Sequence, residues 1–445
     1  MRPRQRAHWA SGFGFTMAAV GSAVGLGNLW KFPYLAGRNG GGIFVAMYLI
    51  IILLIGFSII LGEMAIGRHT QLNSYGAYKK IRPAWGFVGA MGILSGFIIL
   101  SFYNVIGGWV INYIAQYLMG GIQGDSALYF NSFVTDPIRP LVWHFIFTLA
   151  TGYIVIWGVS KGIEKYSKIL MPLLFLFLVV IVIRSVTLPG AWEGIRFFLQ
   201  PDPSKLNTES LVAALGQVFF SLSLGMGCMI TYGSYLRQDA RLERSAIIIP
   251  ALDTLVAMLA GFAILPAVFA FQYEPGSGPG LMFITLPKVF QLMPMGWLFG
   301  LLFFILTFFA AITSSISLME VVIAFVVDHF TFKRYNVVLT LTLILFVVGI
   351  PCSLSIGPWS GFKLGGLVIF DLMDYLASNI LLPLGGLLMC IFIGYIWKVD
   401  AAIREITNQG QIVFRLKRLW IVGIRYLAPV GLLVVFLNML GIIRF

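Results

Sequence analysis

Apolar windows of about 20 residues, long enough to cross the hydrocarbon core of a bilayer, recur along the whole chain. They fall near 12–36, 42–66, 86–118, 141–159, 166–186, 211–236, 246–271, 296–326, 336–353, 366–397 and 419–440. Inside lipid every backbone N–H and C=O must be satisfied within the protein, so windows of this length read as helices. The chain is expected to be an all-α polytopic membrane protein of roughly eleven transmembrane helices. Only 11% of its 445 residues are charged and its mean hydropathy is +0.93, against about 25% charged in a soluble domain. The formal net charge of +13 is spread between the spans rather than gathered on one soluble face. It therefore points to a positive-inside bias and not to nucleic acid.

Lys and Arg set the orientation. Arg2, Arg4 and Arg6 precede the first span; Arg68, Lys79, Lys80 and Arg82 follow the second; Lys161, Lys165 and Lys168 follow the fourth. Arg237, Arg241 and Arg244 follow the sixth, Lys333 and Arg334 the eighth, and Lys398, Arg404, Arg415, Lys417 and Arg418 the tenth. These connections alternate onto one side, which makes the N-terminus cytoplasmic and, with an odd number of spans, the C-terminus external. The opposite loops, 120–140, 187–210 and 272–294, are poorer in basic residues. The chain carries no Asn-x-Ser/Thr sequon, which favours a prokaryotic cell membrane as its location. The basic N-terminus runs into a glycine-broken span without a small-residue cleavage site and reads as a retained tail, not a signal peptide.

The first span contains VGSAVGLGNLWKFPY, Val20 to Tyr34. Each glycine costs a helix interior about 1 kcal/mol and proline about 3, so this run predicts a helix that breaks mid-span and resumes. Irregular backbone at membrane depth persists only where protein or a hydrated cavity satisfies it. A second break is expected at FSLSLGMGC, Phe220 to Cys228, which repeats the Gly-x-Gly pattern. Paired interrupted segments in the two halves of a polytopic chain point to a transporter's binding site. Laying the first five spans over the next five gives an inverted repeat, 10–186 and 207–397, followed by an eleventh helix at 415–441, all within one transmembrane domain.

A break frees N–H groups at the start of one half-helix and carbonyls at the end of the other. The N–H end near Leu26 and Gly27 suits a carboxylate; the carbonyl ends near Ala23 and Phe220 suit an ammonium group or sodium. One site so built matches a zwitterion. Gly21 and Gly25, like Gly92 and Gly96, also match the small-residue packing pattern. Packing accounts for the second pair, but not for Asn28, Lys31 and Pro33 beside the first. Thr313, Ser314 and Ser315 supply hydroxyls of the kind a hard cation takes, although a lone hydroxyl in a helix usually bonds its own i−4 carbonyl. Among intramembrane ionisable groups, Glu63, Glu320 and Asp371 have a structural reading as partners of exposed backbone. Asp253 has no cationic neighbour in sequence, so a bound cation is its expected counter-charge. Gly158 to Gly162 spells the Gly-x-Ser-x-Gly of hydrolases, but that motif needs a strand before it, and here it caps a membrane helix, so no enzyme is expected. Cys228, Cys352 and Cys390 form no C-x-x-C pair and read as packing residues.

With these residues in view, the chain resembles the neurotransmitter:sodium symporter family, in its bacterial, leucine-transporter-like amino-acid branch. The resemblance rests on RAHWASGFGFTMAAVGSAVGLGNLWKFPYLAGRNGGGIF, GEMAIGR, GQVFFSLSLGMGCMITYGSYL, FITLPKVF and FFAAITSSISLMEVVIAF. It implies a fold of two inverted five-helix repeats with helices 1 and 6 broken, and sodium-coupled symport of an amino acid by alternating access. It implies two sodium sites. The first takes the Ala23 carbonyl, Asn28, Ser221, Asp253 and the substrate carboxylate; the second takes carbonyls of Gly21, Val24 and Ala310 with the Thr313 and Ser314 hydroxyls. The substrate carboxylate is expected on the Leu26 and Gly27 amides and Tyr103, and its ammonium on Ala23, Phe220, Ser221 and Ser223. Ile99, Tyr103, Phe220, Met226, Ser314 and Leu318 are expected to line the side-chain pocket. Lys31 and Asp374, lidded by Tyr103 and Phe220, look like the outer gate; Arg6 and Asp328, with Trp9 and Tyr235, look like the inner one.

Three departures from the family pattern matter. Lys31 stands for an arginine, and an ammonium cannot form a bidentate fork with Asp374, which implies a looser or water-bridged outer gate. Met226 stands for an aromatic and, being flexible, suits larger hydrophobic substrates. Asp253 stands for an asparagine, and its fixed charge beside the first sodium makes chloride unnecessary; a proton taken up there when sodium leaves is a second expectation. The expected partners are a hydrophobic zwitterionic L-amino acid, two sodium ions and membrane lipid, with no obligatory protein partner. A sodium channel and an amino-acid sensor that binds without transport are the alternatives.

Overall fold

The computed structural model describes residues 6–273, 279–330 and 332–443, and Arg2 and Arg4 of the basic tail lie outside them. Among the described residues there are only helices and two isolated β-bridges. Nine helical stretches are long and apolar enough to cross a membrane, and a tenth crossing is the pair Gly12–Ala23 and Gly27–Arg38, bent by 54°. The remaining expected window, 211–236, appears as Thr208–Ser221 and Cys228–Gly233, each too short to span by itself.

Boundaries differ from the apolar windows because interfacial turns add helix that hydropathy does not register. The second span runs Gly42–Thr70, the eighth Gly296–Phe330. The expected outer loops are partly helical: Ser126–Val134, Ala191–Leu199 and Leu281–Leu292 lie within them. Gly158, at φ 80°, turns the chain sharply between Arg139–Ile156 and Val159–Val186; this is the tight hairpin that the short connection requires.

The two broken segments lie at the centre. Gly12–Ala23 packs on Gly296–Phe330, Val159–Val186 and Leu242–Ala270. The long helix Gly86–Leu118 packs on Gly296–Phe330 and passes the second break so closely that a methyl on Gly92 would lie 3.0 Å from the Gly225 carbonyl. Gly92 thus serves close packing, as expected, whereas a methyl on Gly96 would meet nothing nearer than Leu318 at 3.6 Å. Cys228, Cys352 and Cys390 are buried free thiols.

Candidate binding site at the two breaks

The first helix is capped at its start by the Ser11 hydroxyl, which accepts from the Gly14 amide. It ends at Ala23; Val24 is extended (φ −70°, ψ 107°), and helix resumes at Gly27 in a wide π-helical turn. In the other broken segment the helix ends at Ser221 and resumes at Cys228, and the residues between turn through positive φ at Ser223 (52°), Gly225 (78°) and Gly227 (74°). Glycine adopts this region without steric cost, whereas Ser223 is held there by its hydroxyl, which donates to the Ser22 carbonyl at 2.8 Å. The two breaks are therefore tied to each other.

Between them lies a small cavity of about 30 Å³. All eleven expected substrate residues line it: Ala23, Leu26, Gly27, Ile99, Tyr103, Phe220, Ser221, Ser223, Met226, Ser314 and Leu318. Larger clefts occur at 241–248 with 406–416 and at 153–169, but neither includes a residue of the breaks themselves. The enclosed chemistry decides which is the site. At one end of the small cavity the Leu26 amide donates to the Tyr103 hydroxyl (3.2 Å); on one wall the Phe220 ring lies against Gly27, where a methyl would meet it at 2.8 Å. Ile99, Met226 and Leu318 supply buried apolar surface.

Three of the four residues expected at the first sodium site, Asn28, Ser221 and Asp253, are in mutual contact. Asp253 is fully buried, with its carboxylate accepting from Ser221 (2.7 Å), Asn28 (2.8 Å) and Tyr48 (3.4 Å). No cation of the protein pairs with it among the described residues. The Asn28 oxygen accepts from the Gly25 amide at 3.1 Å and its amide nitrogen faces Asp253 and Ser221. Ala23 lies at the end of the adjoining half-helix, on the cavity wall.

At the second site the Ser314 hydroxyl lies 3.4 Å from the Gly21 carbonyl and 3.2 Å from that of Val24. Thr313 reaches the Ala310 carbonyl at 3.2 Å and, as a helical hydroxyl does by default, its own i−4 carbonyl at 2.8 Å. Thr313 faces Gly21, where a methyl would come within 3.0 Å of its Cβ. Ser314 thus meets Gly21 and Val24 across the break, and Thr313 meets Gly21 and, within its own helix, Ala310. Ser315 points elsewhere, to Asn104 (3.1 Å).

The four residues expected at the inner gate come together. Arg6 pairs with Asp328 and donates to Ser234 at 2.7 Å, its guanidinium stacked 4.8 Å over the Tyr235 ring. Trp9 donates to the Tyr232 carbonyl at 3.0 Å and packs on the Tyr235 ring. The outer pair is not joined: Lys31 stacks 4.3 Å over the Phe220 ring, while Asp374 accepts from Ser378 at 2.7 Å. An ammonium offers no planar fork to a carboxylate and is attracted by an aromatic face within reach.

Several partners escaped the sequence reading. Gln217 donates to the Gly27 carbonyl (3.0 Å), Tyr48 supports Asp253, and Asn73 supports Asp328 through its amide (3.1 Å) and side chain (2.9 Å). Of the ionisable groups read as structural, Glu63 accepts from the Gly225 amide (2.8 Å) and so satisfies the second break. Glu320 accepts from Tyr235 (2.7 Å) and from Arg334 through both oxygens (3.0 and 2.5 Å). The Asp371 side chain makes no hydrogen bond among the described residues, so the reading as a partner of exposed backbone holds for Glu63 and not for Glu320 or Asp371. Gln217, Tyr48 and Asn73 stand in ordinary apolar or polar contexts, and nothing in their spacing marks them.

The profile of the sodium:neurotransmitter symporter family matches residues 6–127 and 128–444. The chain is 42% identical, over the full length of both, to the uncharacterized sodium-dependent transporter YhdH of Bacillus subtilis. It is 27% identical to the human sodium- and chloride-dependent GABA transporter 2, covering 84% of this chain and 70% of that one. Its structure is similar to the crystal structure of MhsT in complex with L-phenylalanine, with a TM-score of 0.90 and 44% identity over 98% of this chain and 100% of the other.

Proposed function

The chain belongs to the sodium:neurotransmitter symporter family, and from that premise we propose that it is a symporter that carries a hydrophobic zwitterionic L-amino acid into the cell with two sodium ions. The observation that carries this reading is the cavity between the breaks, which offers backbone N–H and C=O ends to a zwitterion and apolar walls to its side chain. The L-phenylalanine complex of a structure 44% identical supports the hydrophobic class. The Leu26 and Gly27 amides with Tyr103 take the carboxylate; Ala23, Phe220, Ser221 and Ser223 take the ammonium.

Sodium is cargo here. The first ion joins Ala23, Asn28, Ser221 and Asp253 to the substrate carboxylate, in place of the Asn28 to Asp253 hydrogen bond. The second joins Gly21 and Val24 to Ala310, Thr313 and Ser314, and so bridges the first and eighth spans. Sodium at the second position favours a closed inner face, and a ligand shifts an equilibrium only by such differential affinity. Asp253 gives the first ion a fixed negative charge, so chloride is not required. The repeats are 10–186 and 207–397, the basic face is cytoplasmic, and Lys31 with Asp374 closes the outer face once substrate draws Phe220 inward.

One sodium crossing ~100 mV releases about 2.3 kcal/mol, and a tenfold gradient adds about 1.4. Two ions then supply roughly 7 kcal/mol, enough for about a 10⁵-fold accumulation of a neutral substrate. Proteoliposomes loaded with potassium and given labelled L-phenylalanine test the reading. Uptake should require external sodium, persist when gluconate replaces chloride, and vanish in Asp253→Ala together with sodium-dependent binding. Uptake without sodium, binding without uptake, or sodium current without any amino acid would overturn it in favour of a uniporter, a sensor or a channel respectively.

A further inference from the structure

We propose that the cleft between the start of the Leu242–Ala270 helix and the segment 406–416 holds the headgroup of an anionic phospholipid from the leaflet on the basic face. The proposal rests on the membrane reading of the chain but not on what it transports. The cleft is open, has a volume of about 790 Å³, and is lined by Arg241, Arg244 and Arg415. All three are exposed, and none has an ion-pair partner among the described residues.

Three further features fit a lipid phosphate. The 29-residue helix begins beside Arg241 with no side chain capping its first amides, so its N–H groups and dipole favour an anion there. The one carboxylate in the cleft, Glu243, is turned to the backbone: it accepts from the Leu416 amide at 3.0 Å and the Arg415 amide at 3.4 Å. It clamps the segment carrying Arg415 against the helix start and pairs with none of the three exposed guanidinium groups, whose forks match phosphate oxygens.

Apolar surface continues from the charged end. Ile247 lies three residues on from Arg244 and therefore on the same helix face; it is 45% exposed, and Val413 opposite is 78% exposed. A free phosphate or nucleotide gains nothing from these side chains. An acyl chain running along a transmembrane helix does, and basic pockets beside membrane helices are suited to acidic lipid heads.

The test is retention of lipid by the full chain, purified from nanodiscs of phosphatidylcholine and phosphatidylglycerol at 4:1 and read by native mass spectrometry. The wild type should keep phosphatidylglycerol in preference to phosphatidylcholine. The triple variant Arg241→Gln, Arg244→Gln, Arg415→Gln should lose it by roughly fivefold per arginine, and the triple Arg→Lys variant should keep most of it. A control triple, Lys79→Gln, Arg82→Gln, Lys161→Gln, removes the same charge elsewhere on that face and should retain lipid as the wild type does. Equal loss in the control, equal retention of both lipids by the wild type, or complete displacement by millimolar inorganic phosphate would overturn the proposal.

Discussion

Gly25 leaves the site no room for a side chain. A methyl group there would lie 2.8 Å from the Ser314 hydroxyl and 3.0 Å from that of Tyr103, on the wall of the cavity between the breaks. Overpacking of this kind costs about 1–3 kcal/mol. Gly25→Ala should therefore weaken L-phenylalanine binding about tenfold or more and lower the melting temperature, as measured by equilibrium binding and melting in detergent. A substitution at Gly12, which has open space around it, should do neither. Individual residues were also where the sequence was least complete. Asp253 stood out because a carboxylate in an apolar window demands a partner, yet Tyr48, which reaches it at 3.4 Å, looks like any tyrosine in an apolar helix.

The second break is stabilised from outside its own segment, by Glu63 of the Gly42–Thr70 helix. Removing the acceptor of a buried N–H costs about 1–3 kcal/mol. Glu63→Ala should lower the melting temperature and abolish uptake, while Glu63→Gln, which keeps a carbonyl oxygen for the Gly225 amide, should recover much of the stability; a melt that distinguishes neither variant from wild type would contradict this role. That both elements break was legible from glycine density alone. Where helix resumes was legible to within a few residues, because Gly27 and Cys228 each lie at the end of a glycine-rich run. The helical content of the outer loops was not, since Ser126–Val134 and Ala191–Leu199 lie at an interface where neither a long apolar run nor a polar loop is required.

Across the whole molecule the two pairs proposed as gates differ, with Arg6 paired to Asp328 while Lys31 and Asp374 stay apart. Charge-assisted hydrogen bonds contribute about 1.5–3 kcal/mol. In a background with Cys352 and Cys390 replaced by serine, Arg6→Ala should speed labelling of the buried Cys228 by a thiol reagent applied from the basic side about tenfold, and saturating sodium should slow it again. A second fastening on that side joins remote parts of the chain: Arg68 bonds Glu405 at 2.6 Å and the Ala240 carbonyl at 2.6 Å, and His69 approaches Glu405 at 3.2 Å. Burial pushes the Glu405 carboxyl up, but the His69 hydrogen bond and the Arg68 guanidinium outweigh it and hold it below its ordinary 4.5. Its contribution to stability is then full above that value and is lost as pH falls through the lowered one. Wild-type melting temperature should fall more steeply than that of Glu405→Gln as the pH is taken below 4.5.

The sequence by itself determined that this chain crosses a membrane many times, that two crossings are interrupted, and which residue types surround the interruptions. Those follow from local costs: apolar length, glycine and proline in a helix, and charge in lipid. Only the tertiary structure decided that the Ser314 hydroxyl faces the Gly21 and Val24 carbonyls, that Lys31 rests on Phe220 instead of Asp374, and that Gln217, Tyr48 and Asn73 complete the polar network. Such pairings join residues up to 293 positions apart. They depend on how helices rotate and approach in packing, which no local propensity records.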